Sequence, residues 1–181
     1  MEEEMRREEI LKMEAGPELN RMIAERVLGW KAWEEIRGEY THVVWQKDGE
    51  RDPWKGSRDW EIQKERYTPL IKFDPMKHIE HGLIDFSQDI SSAWQVVEKL
   101  NDLGWQIELA DMRKSPDDPG WWVELCRYEP IEDENAPIEM QGKPFATHYW
   151  MYDCSAPTVE LAICRAALLA VEPRREEERE R

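Results

Sequence analysis

Residues 89–128 read DISSAWQVVEKLNDLGWQIELADMRKSPDDPGWWVELCRY, and they decide the fold. Asp89 is placed as an N-cap, with Ser92 three residues on. Ile90, Trp94, Val97, Leu100 and Leu103 recur as an apolar helical stripe, which predicts a helix that Gly104 ends. Trp105–Met112 then alternates apolar and polar residues, the pattern of a half-buried strand. Ser115–Gly120 (SPDDPG) is a turn, and Trp121–Tyr128 is the next strand.

Working outward, Phe145–Tyr152 predicts a third strand, with Phe145, Thr147, Tyr149 and Met151 on one face and His148, Trp150 and Tyr152 on the other. A last helix follows, with Ser155 as its cap and Pro157 near its first turn. Its face is Val159, Ile163, Ala166 and Ala170, with Ala162 and Ala167 beside it, small enough to lie close on a sheet. Glu172-Pro173 ends it. Upstream, Gly16-Pro17 opens a helix over 17–28 whose apolar face is Leu19, Met22, Ile23 and Val27, and Gly29 stops it. The expected class is α+β: a compact α/β sandwich in which a three-stranded or larger antiparallel sheet is packed by helices. One domain over 15–173 is expected. It is flanked by a charged segment at 1–14, where Ile10, Leu11 and Met13 offer a short apolar contact, and by an Arg/Glu tail at 174–181. A long insertion spans 31–85. Its turn signals, among them Asp52-Pro53 and Thr68-Pro69, make most of it a structured loop region. Tyr40–Gln46 and Tyr67–Phe73 are β-rich pieces that form a hairpin or edge strands.

The chain has 181 residues, with 40 acidic and 25 basic, for a formal charge of −15. That balance argues against a nucleic-acid polymer as partner, because phosphate neutralisation needs surplus Lys and Arg. No apolar run reaches the roughly 18 residues that span a bilayer. The first residues carry no apolar signal core, so a cytosolic protein is expected. Cys126, Cys154 and Cys164 lack metal-pair spacing and read as reduced thiols.

Catalytic signatures are absent from the sequence, which holds no phosphate-binding glycine loop and no nucleophile elbow. His78-Ile79-Glu80-His81 spaces two histidines three apart, whereas zinc helices use four, so a surface pair is the expectation and no metal or cofactor is assigned. Cys154 before a helix could be activated by the helix terminus, but an inert buried thiol is the better reading. Trp94, Trp105 and Trp121 read as core. The insertion differs from the rest. Residues 30–82 hold 10 basic and 11 acidic residues, nearly neutral in a strongly acidic chain, and five of the ten Trp. Trp45, Trp54 and Trp60 are candidates for stacking on a base, with Arg51, Lys55 and Arg58 for phosphate. Packing or an oligomer contact is the competing account of the same residues.

Three blocks carry a resemblance: Ala15–Trp30 (AGPELNRMIAERVLGW), Phe86–Leu100 (FSQDISSAWQVVEKL) and Thr158–Val171 (TVELAICRAALLAV). In this order they resemble the phage ABA-sandwich domain family. The resemblance implies a phage or prophage origin, an α/β sandwich, no agreed enzymatic activity and no catalytic residues to carry over. The long 31–85 segment departs from shorter members. The expected function is a non-enzymatic phage accessory protein. It would sequester a small nucleotide-derived immune signal, of the cyclic nucleotide or cyclic ADP-ribose type, as a homo-oligomer. The alternative is an acidic inhibitor that mimics nucleic acid against a host defence protein, through Glu132, Asp133, Glu134 and the terminal glutamates.

Overall fold

The computed structural model describes residues 7–37, 40–53, 55, 64–74, 77–117, 119–130 and 146–171. The order is α1 (Arg7–Lys12), α2 (Pro17–Met22) running into a π-helical turn (Ile23–Val27), then β1 (Lys31–Arg37), β2 (Tyr40–Gln46), β3 (Tyr67–Pro69) and β4 (His78–His81). After these come α3 (Ile90–Asp102), β5 (Gln106–Asp111), β6 (Trp121–Pro130), β7 (Ala146–Ala156) and α4 (Val159–Val171). The protein is α+β. One sheet has the order β3-β1-β2-β4 and the other β5-β6-β7. The second is antiparallel throughout, whereas β4 joins β2 in parallel.

The insertion is therefore not a loop region. Between Lys31 and His81 it builds a whole sheet. Tyr40–Gln46 is an interior strand, and Tyr67–Pro69 is a short edge strand. The two do not pair with each other, because β1 lies between them. β1 has no alternating pattern in the sequence, because KAWEEIR carries charge on both faces.

α4 is the centre of the molecule. Leu161–Cys164 and Ala166–Leu169 are all buried, so the helix is covered on nearly every side. It packs on β6 and β7, on α3 and α1, and on the π turn, which reaches β1. The inner face of the second sheet offers Val123, Leu125, Tyr152, Cys154 and Ala156 to it. Thr158, not Ser155, caps α4: its hydroxyl accepts the Leu161 N–H at 3.3 Å, while β7 runs on to Ala156.

α3 begins where expected, with the Asp89 carboxylate accepting the Ser92 N–H at 2.9 Å. Its face is rotated, however. Ala93, Val96, Val97 and Leu100 are buried, while Ile90, Leu103 and Trp94 (48% exposed) face outward. One residue is about 100° on a helix, so choosing the bulky residues over Ala93 turned the stripe towards solvent. Trp94 is not core; Trp105 is buried, and Trp121 is partly buried against the core. Two glycines are required by geometry. Gly104 stops α3 at φ +85°, and a Cβ at Gly120 would stand 2.6 Å from the Ala156 carbonyl oxygen.

Candidate functional site

α2 delivers two polar side chains from adjacent positions, and both find partners far away in sequence. Arg21 grips Glu80 of β4 with two parallel bonds, Nε to Oε1 at 2.9 Å and Nη2 to Oε2 at 2.6 Å. The Trp45 indole N–H donates to the same carboxylate at 3.1 Å, and the Arg21 guanidinium lies 3.4 Å from the centroid of the Phe73 ring. Asn20 is only 4% exposed. Its amide nitrogen donates to Asp85 Oδ1 at 2.9 Å, and its oxygen accepts the Ser87 N–H at 2.9 Å. The Ser87 hydroxyl in turn accepts the Gly16 N–H at 2.9 Å. A polar side chain this deep is tolerated because both its amide nitrogen and its oxygen have a hydrogen-bond partner.

These groups wall an open cavity of about 380 Å³. Asn20, Glu80, Asp85 and Gln88 form its polar wall, and Gly16, Pro17, Gly82 and Leu83 complete it. The size lies within the roughly 300–1,000 Å³ of small-molecule sites. The two carboxylates differ. Glu80 is neutralised by Arg21, whereas among the described residues no cation pairs with Asp85.

The structure divides the candidate residues read from the sequence. Trp45 is 9% exposed and its N–H is committed to Glu80, so burial removes it as a stacking platform. Next to it, Gln46 points to the opposite face of β2, as period two requires. It accepts from the Trp33 indole at 2.9 Å and donates to Asp52 at 3.3 Å. Lys55 pairs with Asp52 at 2.7 Å, and Arg51 is exposed nearby. Trp54, Arg58 and Trp60 lie outside the described residues, as do Glu132, Asp133 and Glu134. Asn20 and Asp85 were missed. A buried Asn on the arc of Leu19 and Ile23 is a signal, since Asn is a weak helix former; its partner 65 residues away is not.

His78 is not a surface residue. Its Nδ1 accepts the Asp74 N–H at 2.8 Å and its Nε2 lies 3.4 Å from Glu34, across the sheet. Among the described residues no group of three or more His, Cys, Asp or Glu could hold a metal ion. Cys154 is buried on β7, and burial pushes its thiol up to about 11. Cys164 is raised further for the same reason. On the other face of the first sheet, Glu35 is buried beside Arg37 (2.7 Å) and opposite His42 and Tyr67. Burial alone would raise its pKa, but hydrogen bonds from Arg37 and Tyr67 outweigh that and lower it.

Among the described residues, the fold is a two-sheet α+β sandwich with a polar pocket between α2 and β4. The chain belongs to the phage ABA sandwich domain family, whose model matches residues 21–168. It is similar to a phage protein from Bacillus cereus ATCC 14579 whose crystal structure was solved at 2.0 Å. The two share 22% identity over 88% of this chain and 93% of that one, with a TM-score of 0.40. No curated protein matches the chain. Among the described residues, no helix is long and apolar enough to cross a membrane.

Proposed function

We propose that this phage-family protein acts by binding rather than by chemistry, sequestering a small nucleotide-derived signal of bacterial defence, of the cyclic nucleotide or cyclic ADP-ribose type. The observation that carries this reading is the Asn20–Asp85 pair. A side chain 4% exposed holds a carboxylate at the wall of a cavity of about 380 Å³. A sponge gains affinity from groups fixed before the ligand arrives, since nothing then needs ordering on binding. The test is direct. Protein purified from phage-infected cells is heated, and the supernatant is examined by ultraviolet absorbance and mass spectrometry. An intact nucleotide in stoichiometric amount is expected. An empty supernatant, together with no calorimetric heat against a panel of cyclic nucleotides and cyclic ADP-ribose isomers, refutes the reading.

One observation favours a second reading, an acidic surface for a basic host protein. Glu108, Glu124 and Asp153 stand in one cross-strand row on the second sheet, facing away from α4. Arg7 of α1 offsets only Asp153, at 3.2 Å. Such binding would weaken steeply with salt.

A further inference from the structure

We infer that the α2–β4 pocket takes a planar group carrying two adjacent N–H donors, which in the nucleotide-derived ligand proposed above is the edge of a guanine. The inference rests on that proposal for its ligand class and on the cavity wall for its chemistry. Glu80 has little to spare: its charge is paired by Arg21, and three N–H donors, two from Arg21 and one from Trp45, already fill most of its acceptor positions. Asp85 is different. An ionised carboxylate has about four acceptor positions, and Asn20, a neutral partner, fills one of them. The wall therefore keeps one negative charge with acceptor sites facing the cavity. A phosphate set there would meet a like charge. Two N–H donors in one plane match the two carboxylate oxygens instead.

Guanine and the guanidinium of arginine both offer that edge. Gln88 decides between them. It lines the same cavity, and its amide can donate to a neighbouring carbonyl, which guanine has beside its N–H donors and guanidinium lacks. Pro17 and Leu83 give apolar surface for a ring face, and Gly16 and Gly82 border open space where a Cβ would meet nothing within 4 Å.

The test is isothermal titration of the full chain with GMP, IMP, AMP and arginine amide, repeated on Asp85→Asn, Gln88→Glu and Glu98→Gln. Glu98 is exposed on α3, so its variant controls for loss of one negative charge. GMP is expected to bind best. IMP, which lacks the second donor, is expected to be at least about tenfold weaker, the scale of a lost hydrogen bond to a charged group. Asp85→Asn and Gln88→Glu should each weaken GMP by about tenfold or more with unchanged melting curves, and Glu98→Gln should not. Equal affinity for GMP, IMP and AMP overturns the guanine edge while leaving sequestration of a nucleotide standing. Arginine amide binding tighter than GMP also overturns it. If no nucleotide binds and heating releases none, the functional proposal itself falls.

Discussion

The Arg21–Glu80 pair provides the sharpest test of how α2 is fastened to the first sheet. Replacing Glu80 with Gln keeps the shape and removes the charge. Both side chains are mostly buried, at 18% and 15% exposed, so solvent screens the pair far less than a surface bridge. Three donors converge on this carboxylate, two from Arg21 and one from Trp45. In Glu80→Gln, one oxygen becomes an NH2 group that must face one of those donors. Breaking a fully buried pair from one side costs about 3–5 kcal/mol. The residual exposure and the hold of Phe73 on the guanidinium bring the expectation down to about 2–3 kcal/mol. For a chain of this length, that corresponds to roughly 4–12 °C in Tm. Urea unfolding followed by tryptophan fluorescence and circular dichroism would read it. The double variant Arg21→Met/Glu80→Gln should lose less than the sum of the single changes, because the unpaired cation is gone. A loss under about 0.5 kcal/mol for Glu80→Gln, with additive doubles, would refute the reasoning and reduce the contact to a surface ion pair.

Three further outcomes are expected. Gly120→Ala puts a methyl group 2.6 Å from the Ala156 carbonyl, and backbone on both sides leaves nothing flexible to yield. It should cost about 1–3 kcal/mol in chemical denaturation, and a neutral result would mean that the start of β6 is free to shift. Trp94→Gln on the outer face of α3 should cost less than about 1 kcal/mol, while Trp105→Ala, buried against Tyr152, should cost about 3–5. The reverse order would restore the stripe read from sequence. For pH, Glu35 has a folded pKa below its ordinary value, so its contribution is present above about 4.5 and is lost as pH falls through the lowered value. Glu35→Gln should therefore be less stable than the native chain at pH 7, with the gap closing below pH ~4; a gap that stays constant from pH 7 to pH 3 contradicts the assignment.

The second sheet and α4 were legible because their residues obey one period each. Asp89 caps, Gly104 stops, WQIELADM alternates, and small residues line α4, so local rules and tertiary packing agree. In the first sheet, Tyr40–Gln46 and Tyr67–Pro69 were legible as β-rich pieces, whereas β1, β4 and the pairing were not, for a physical reason. Its two faces both carry charged residues that find partners in the fold: Glu34 stands 3.4 Å from His78, Glu35 pairs with Arg37 two residues along its own strand, and Glu80 pairs with Arg21. Alternation marks a strand only when one face is polar and the other apolar. Of the candidate stacking residues, only Trp45 falls among the described residues. Trp45 was read as a platform because it sits among basic residues in sequence, but strand geometry sends Trp45 to one face and Gln46, with Asp52 and Lys55, to the other. The family resemblance needed no such pairing, since it rested on helix blocks outside the insertion.

The Arg21–Glu80 pair also separates stability from binding. Buried ion pairs are often matched or exceeded in stability by apolar residues of similar volume. Arg21→Met/Glu80→Leu should accordingly recover much of what either single change loses, the more so because Phe73 and Trp45 would then flank an apolar contact. Stability alone is thus no reason to keep two charges there. The pocket is. Glu80 is both the anchor of Arg21 and part of the cavity wall, so the apolar pair would fold while replacing a fixed polar surface with a greasy one. In the proposed function, that variant should melt near the native temperature and bind its ligand more weakly. If it melts normally and binds normally, the recognition lies elsewhere, and the exposed Arg51 and Lys55 on the far side of β2 become the residues to change next.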